Sequence, residues 1–159
     1  MQRINKIAST VFGIGYLPFA PGTFAAAFAV VIWYFLATNF NQFPLLQIGL
    51  IIIFSLTGVY CSGKLCAESG KDPSFVVIDE LVGMWIAVLL IPPTILNYTI
   101  AFMFFRFFDI AKPLGIRRME KMKNGWGIMS DDILAGIYSN IALRLLIEFI
   151  PLSFDSYRM

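Results

Sequence analysis

An apolar run of 19 residues, Phe43–Cys61, constrains the fold of this chain most strongly. As an α-helix rising about 1.5 Å per residue, it nearly matches the bilayer hydrocarbon thickness of about 30 Å. The chain is 58% hydrophobic and 14% charged, whereas soluble domains are about half apolar and about one quarter charged. Four more apolar segments have helical length: Thr23–Ala37, Leu81–Ile91, Ile95–Phe108 and Ile133–Ile150. We predict an all-α, polytopic membrane bundle of about four to five apolar helices, with one domain over residues 1–159.

Two consecutive prolines, Pro92 and Pro93, separate the third and fourth apolar segments. They remove two backbone donors and disfavour helical geometry before them, so we expect two short helices joined by a tight turn. If that turn reverses the chain, the polar stretches 62–73 and 109–132 lie on the same side as the N-terminus. Nearly all Lys and Arg residues then share that side, which marks it as cytoplasmic, and only Arg158 lies opposite. The sequence therefore predicts a polar site on the cytoplasmic face.

Acidic residues stand where apolar segments meet the polar stretches, at Asp79-Glu80, Asp109 and Asp131-Asp132. Hard cations such as Mg²⁺ bind carboxylates together with water and substrate phosphate. Without a cation, clustered carboxylates repel one another. Two of these groups also have a structural explanation, because Asp79-Glu80 and Asp131-Asp132 suit the first turn of a helix. Asp109 is harder to explain in this way, because it ends an apolar segment, where an anion faces the negative end of the helix dipole. Three such groups on one face favour a cation site.

Basic residues accompany these acids. Arg106 and Lys112 flank Asp109, and we interpret both as phosphate-binding residues, because Lys and Arg recognise phosphate through charge-assisted hydrogen bonds. Arg106 can equally serve as the salt-bridge partner of Asp109. The other cations of this stretch are interpreted as a loop that binds anionic lipid headgroups. They are Arg117, Arg118, Lys121 and Lys123.

A glycine- and proline-rich segment, Gly13–Thr23, precedes the first apolar segment. Its glycines permit backbone N–H groups to turn toward an anion, and a helix N-terminus adds positive potential. Gly22 and Thr23 are therefore candidate phosphate-binding residues. An entry turn with Thr23 as the helix N-cap explains the pattern equally well.

Several chemistries are excluded by what the sequence lacks. The chain has no histidine, and neither Cys61 nor Cys66 is followed six positions later by arginine. Histidine-dependent phosphatases, histidine-ligated zinc and the cysteine-phosphatase loop are thus ruled out, and phosphate hydrolysis would need carboxylates and a metal. The net charge of only +2 argues against nucleic acid as a partner. The alternative function is a cation transporter using the same carboxylates, but such acids are expected near mid-membrane rather than at segment ends.

Four sequence blocks together resemble the phosphatidylglycerophosphatase A family. In order, they are Gly15–Thr23, Asp79–Trp85, Phe105–Pro113 and Gly125–Gly136. The resemblance implies an all-helical, multi-pass enzyme of the bacterial inner membrane that uses Mg²⁺. Its lipid substrate would be phosphatidylglycerophosphate, and the products phosphatidylglycerol and inorganic phosphate. The oligomeric state is not predicted.

Carried over by position, the resemblance also implies the site residues. The catalytic acids would be Asp79, Glu80, Asp109, Asp131 and Asp132, with Arg106 and Lys112 as phosphate partners. The expected metal ligands are Asp79, Glu80, Asp109 and Asp132. The chain departs from the family pattern at Ala25-Ala26, where Gly-Ser is frequent, and at Gly115, where proline is frequent. Both departures lie beside the acidic blocks, and whether water or an aspartate attacks phosphorus stays open.

Overall fold

The computed structural model describes residues 2–40, 43–69 and 73–149, and all regular structure in these ranges is helical. The helices are α1 (Gln2–Ser9), α2 (Pro21–Asn39), α3 (Phe43–Ser69), α4 (Ile78–Ala87), α5 (Ile95–Ala111), α6 (Ile116–Met119) and α7 (Gly125–Phe149). A short 3-10 turn, Ile14–Tyr16, lies between α1 and α2. The all-α prediction is confirmed. Arg158, used above to compare the two sides, lies outside the described residues.

Two helices are long and apolar enough to cross a membrane, α2 over Pro21–Asn39 and α3 over Pro44–Ala67. Only 28% of the α2 span and 22% of the α3 span is buried inside the protein. Large apolar side chains such as Val31, Ile52 and Ile53 are instead more than half exposed. Helices of a soluble core would be mostly covered, so these two helices weakly suggest a membrane protein.

The start of α2 differs from the predicted Thr23 cap. The N-cap is Ala20, which is left-handed at φ 43°, and Pro21 occupies the first helical position. Proline suits that position because its fixed φ is already helical and its missing N–H would have no partner there. Thr23 therefore lies inside the first turn, and the alternative explanation of Thr23 as the N-cap is wrong.

Helix α7 begins earlier than expected. It starts at Gly125 rather than at Asp131-Asp132, which lie in its second turn. A Cβ added to Gly125 would overlap the Val59 carbonyl oxygen of α3, so only glycine permits this close approach. The N-terminal capping explanation for Asp131-Asp132 is therefore removed.

The α4–α5 hairpin confirms the predicted break at the prolines. Helix α4 ends at Ala87, and Thr94 caps α5 by accepting a hydrogen bond from the Asn97 backbone N–H at 3.1 Å. The Asn140 side chain of α7 donates to the carbonyl oxygens of Ile86, Ala87 and Leu89 at 2.9–3.1 Å. The bond to Ala87 satisfies a carbonyl that the end of α4 leaves without a helical partner, whereas Ile86 also accepts from the Leu89 N–H and Leu89 also accepts from Arg144.

Helix α4 is the buried centre of the bundle, packed by α2, α3, α5 and α7. Its Trp85 stacks on Trp33 of α2 at 4.5 Å between ring centroids and donates to the Ala29 carbonyl oxygen at 3.2 Å. On the opposite side, a Cβ added to Gly136 of α7 would overlap the Gly83 carbonyl oxygen. Backbone contact between α4 and α7 thus fixes the N-terminal turn of α4 against the acidic turn of α7.

Candidate active site

A cavity of about 840 Å³ lies where the start of α4 and the end of α5 meet the turn of α7 that carries Asp131 and Asp132. It collects all five predicted acids and the predicted lysine. Its charged lining consists of Asp79, Glu80, Asp109, Lys112, Glu120, Asp131 and Asp132. Residues up to 53 positions apart in the sequence therefore share one polar space.

Three carboxylates form the tightest part of this acidic set. One oxygen from each of Asp79, Glu80 and Asp132 lies within 4.8 Å of the others. Asp132 is 3% exposed, and the Asp79 Oδ1 and Glu80 Oε2 atoms are buried without a hydrogen-bond partner among the described residues. Buried, unpartnered carboxylate oxygens are costly unless something binds them. This all-oxygen donor set suits a hard divalent cation such as Mg²⁺.

Arg106 and Asp109 form an ion pair at the end of α5. The two side chains are one helical turn apart, so the spacing alone permits the contact. Asp109 lines the cavity, whereas Arg106 lies behind it and keeps a buried Nε without a partner among the described residues. The predicted salt bridge is present, and the pair borders the three-carboxylate cluster.

Lys112 connects two acids across the cavity. Its Nζ donates to Asp131 Oδ2 and to Glu120 Oε1, both at 2.6 Å. Lys112 caps α5 in a left-handed conformation with φ 46°, and this turn directs the chain away from the helix axis. The ammonium group therefore lies between a nearly buried carboxylate of α7 and an exposed one after α6.

Glu120 was not predicted as a site residue. It lies among the basic residues interpreted as a headgroup-binding loop, and nothing in the local sequence marks it. Its eight-residue separation from Lys112 carries no helical signal, because the chain turns through left-handed Leu114 and Gly115 before α6. Only the folded turn brings Glu120 to the lysine.

Gly22 lies directly behind Glu80. A Cβ at Gly22 would overlap the Glu80 Oε1 atom, so the first turn of α2 is in contact with this carboxylate. The positive end of a helix dipole stabilises a nearby anion. The structure thus brings Gly22 against Glu80, but neither Gly22 nor Thr23 is among the residues that line the cavity, so phosphate binding by these two residues stays a prediction.

Burial and the closeness of like charges shift the pKa values of the ionisable groups in the cavity. Burial raises the pKa of Asp79 and Asp132 well above the ordinary value, and neighbouring carboxylates, Glu80 for Asp79 and Asp109 for Asp132, raise it further. Burial also raises the pKa of Asp131, although Lys112 opposes this effect. Burial disfavours the Lys112 ammonium, but its hydrogen bonds to Asp131 and Glu120 outweigh that and raise its pKa. A cation bound among the acids would relieve their repulsion.

Fold and cavity define an all-helical protein with a carboxylate-rich site at one end of an apolar bundle. A family model described as phosphatidylglycerophosphatase A matches residues 7–147. The chain belongs to the phosphatidylglycerophosphatase A family.

Three curated relatives are similar over most of their length. A Bacteroides thetaiotaomicron protein described as "Putative phosphatidylinositol-3-phosphatase" is 45% identical, covering 87% of this chain and 91% of the relative. The phosphatidylglycerophosphatase A of Haemophilus influenzae is 38% identical, and the match covers 83% of this chain and 82% of the relative. The phosphatidylglycerophosphatase A of Escherichia coli is 34% identical, and the match covers 80% of this chain and 74% of the relative. No solved structure matches the chain.

Proposed function

We propose that this protein hydrolyses the terminal phosphomonoester of phosphatidylglycerophosphate, which yields phosphatidylglycerol and inorganic phosphate. One observation carries the proposal: the Asp79, Glu80 and Asp132 carboxylates and the Lys112 ammonium share a cavity at the ends of apolar helices. A lipid held among apolar helices would present its headgroup phosphate at the helix ends, so the position of this cavity supports the proposal. Family membership supports the same reaction, since two relatives carry the corresponding name.

The proposed location is the cytoplasmic face of a bacterial inner membrane, with the chain as a multi-pass protein. Helices α2 and α3 have spanning length, and the α4–α5 hairpin and α7 complete the proposed bundle. The cavity opens at the end that also carries Arg117, Arg118 and Lys121, and clustered basic residues mark the cytoplasmic side. The acyl chains of the substrate would stay in the bilayer while its phosphate reaches the acids.

Mg²⁺ is the proposed cofactor, held by Asp79, Glu80 and Asp132, with Asp109 as the further expected ligand beside them. When bound, it would neutralise phosphate charge and favour ionisation of water. Lys112 would bind a phosphate oxygen, since an ammonium group forms charge-assisted hydrogen bonds with phosphate. Arg106, which is paired with Asp109, would add positive charge at the cavity edge.

The proton transfers can be assigned to residues of the chain. Hydrolysis breaks the ester bond between phosphorus and the glycerol oxygen, and water supplies the new oxygen on phosphorus. Asp131 has one oxygen fixed by Lys112, while its Oδ1 is buried without a partner among the described residues. We propose that Oδ1 accepts the proton of the attacking water and that the protonated Asp131 carboxyl then gives it to the leaving alkoxide, which becomes a hydroxyl of phosphatidylglycerol. Direct attack by an aspartate remains the alternative, and the configuration at a chirally labelled phosphorus separates the two, because one displacement inverts it whereas two displacements retain it.

A second substrate class is 3-phosphorylated phosphatidylinositol. The relative at 45% identity carries a description of that kind, and both substrates present a phosphomonoester on a lipid headgroup. A cavity of about 840 Å³ accommodates ligands in the usual size range. Parallel kinetics on the two lipids decide between them, and we expect the higher kcat/KM for phosphatidylglycerophosphate.

The decisive experiment is release of inorganic phosphate by the purified protein in detergent, with Mg²⁺ or with chelator. We expect Mg²⁺-dependent release that falls at least about a hundredfold in Asp79→Asn, Asp109→Asn and Asp132→Asn, because each removes a carboxylate from the charged cluster. Glu148→Gln is the control, since Glu148 is exposed near the opposite end of α7. Activity near wild type in all three variants would refute the proposal. Absence of phosphate release, together with cation flux into proteoliposomes, would instead favour the transporter alternative.

A further inference from the structure

A second cavity, a groove of about 330 Å³, lies between α2 and α5. Its walls are almost entirely apolar, and no charged side chain contributes to them. The lining consists of Ala27, Val30, Val31, Tyr34, Ile95, Tyr98, Thr99 and Phe102. The Thr99 hydroxyl donates to the Ile95 carbonyl oxygen of its own helix at 2.8 Å, so it offers the groove little polarity.

The two walls run from the acidic cavity. Helix α2 begins beside the Glu80 carboxylate at Gly22, and α5 ends with Asp109. At about 1.5 Å per residue, Ala27 is about 8 Å from Gly22 along α2 and Phe102 is about 10 Å from Asp109 along α5. The groove therefore starts about one headgroup length from the acids and extends about 10 Å further along both helices.

The groove also has a structured floor. Tyr34 and Tyr98 meet edge to face with ring centroids 5.8 Å apart, and Tyr98 is 3% exposed. Val31 and Ile95 at the rim are 66% and 73% exposed, so the groove opens on the outer surface of the bundle. A narrow apolar trough with a polar site at one end matches a molecule with a charged head and a hydrocarbon tail.

We propose that the groove between α2 and α5 binds one acyl chain of the phospholipid substrate and thereby aligns the headgroup phosphate with the acids. This inference rests on the proposed lipid phosphatase function and adds a tail subsite to it. Bilayer lipid is itself apolar, so seating a chain in the groove gains little transfer free energy. Its effect is orientation, since small displacements of a bound reactant lower the rate strongly.

The test fills the groove from either wall, with Ala27→Phe in α2 and with Thr99→Phe in α5. Ile52→Phe in α3 is the matched control, because Ile52 is 53% exposed and lies outside the groove. Each variant is assayed in detergent with phosphatidylglycerophosphate carrying either sixteen-carbon or six-carbon chains. We expect kcat/KM for the long-chain lipid to fall about tenfold in both groove variants, with less than about a twofold change for the short-chain lipid. The control is expected to retain both activities.

Equal losses on both lipids, or no loss on either, would overturn the inference while leaving the phosphatase proposal intact. Failure of the wild-type protein to hydrolyse either lipid would refute the proposed function itself. A photoreactive acyl chain supplies a second readout that does not depend on turnover. We expect phosphatidylglycerophosphate with that chain to label peptides containing Ala27–Tyr34 or Ile95–Phe102 more strongly than phosphatidylcholine does. Equal labelling by the two lipids would show that the groove holds ordinary bilayer lipid. A wild-type dimer that dissociates in Thr99→Phe would show that the groove binds a second copy of the chain. Either result overturns the inference.

Discussion

Gly83 lies against the backbone of Asp132, and a Cβ at Gly83 would be only 2.6 Å from the Asp132 carbonyl oxygen. Gly83 follows Asp79 by one helical turn, so this contact joins the acidic turn of α4 to that of α7. The same Cβ would meet the Phe105 ring of α5 at 2.6 Å. A single glycine thus sets the spacing of the three helices that carry the acids.

Gly83→Ala is expected to destabilise the protein by about 1–3 kcal/mol, because the added methyl group overpacks a backbone contact that cannot yield. Separation of α4 from α7 should also lower activity. Thermal unfolding in detergent and phosphate release measure the two effects. Gly49→Ala in α3 is the control, since nothing lies within 4 Å of its Cβ position, and alanine favours a helix by about 1 kcal/mol over glycine. An unchanged Tm in Gly83→Ala would contradict the packing described.

Lys112→Gln is expected to lower kcat/KM about ten- to a hundredfold. A hydrogen bond to a charged group contributes about 1.5–3 kcal/mol, and each 1.4 kcal/mol corresponds to a factor of ten. The substitution removes the cavity lysine and releases Asp131 and Glu120. Lys121→Gln provides the comparison, because Lys121 is exposed and does not line the cavity. Comparable losses in the two variants would assign the effect to general charge rather than to Lys112.

The free energy of unfolding of the metal-free protein should fall as pH rises above about 4, which is the ordinary pKa of a carboxyl group. The pKa of Asp79 and of Asp132 is raised in the folded state, so the unfolded chain loses its protons first and is favoured as pH rises. Added Mg²⁺ should oppose this, because a ligand of the folded state stabilises it. We expect the increase in Tm caused by Mg²⁺ to be larger at pH 8 than at pH 5. In chelator, Asp132→Asn should show a weaker pH dependence than wild type, and identical curves would contradict the assignment.

Asn140→Leu tests the contact between α7 and the hairpin. The variant keeps a similar volume but removes the donor of the Ala87 carbonyl oxygen, whereas Ile86 keeps the Leu89 N–H and Leu89 keeps Arg144 as donors. Loss of satisfied buried hydrogen bonds costs about 1–3 kcal/mol, which should appear as a lower Tm. Ile141→Leu, at an exposed neighbouring position, should stay within about 0.5 kcal/mol of wild type. If both variants unfold alike, the Asn140 contacts do not hold the hairpin.

Much of the candidate site could be predicted from sequence because its acids stand where apolar segments end. Reversal of the chain at Pro92-Pro93 sufficed to place Asp79 and Asp109 on one side, and the observed hairpin agrees. Counting membrane crossings, however, predicts only the side of the membrane on which a residue lies and not which residues are its neighbours. The separation of Asp79, Glu80 and Asp132 depends on glycine contacts between helices, which leave no periodic signal.

The start of α7 and the contact between Glu120 and Lys112 could not be predicted from the local sequence. Gly125 and Gly127 indicate a loop by propensity, yet packing against Val59 holds Gly125 in α7. Glu120 reaches Lys112 only through consecutive left-handed residues, which sterics disfavour for Leu114. In both places, tertiary contact overrides the local preference.

The shortness of α4 has a consequence for how the protein is made. Its ten residues extend about 15 Å, about half of a hydrocarbon core. In the proposed bilayer placement, α4 would be too short to span the hydrocarbon core alone, and the Ala87 carbonyl oxygen at its end would lack a partner without Asn140 of α7. Stable placement of α4 would therefore depend on Asn140, some fifty residues later in the chain. A chain that stops before α7 would lack this donor, so we expect α4 to reach its final position only after α7 has been made.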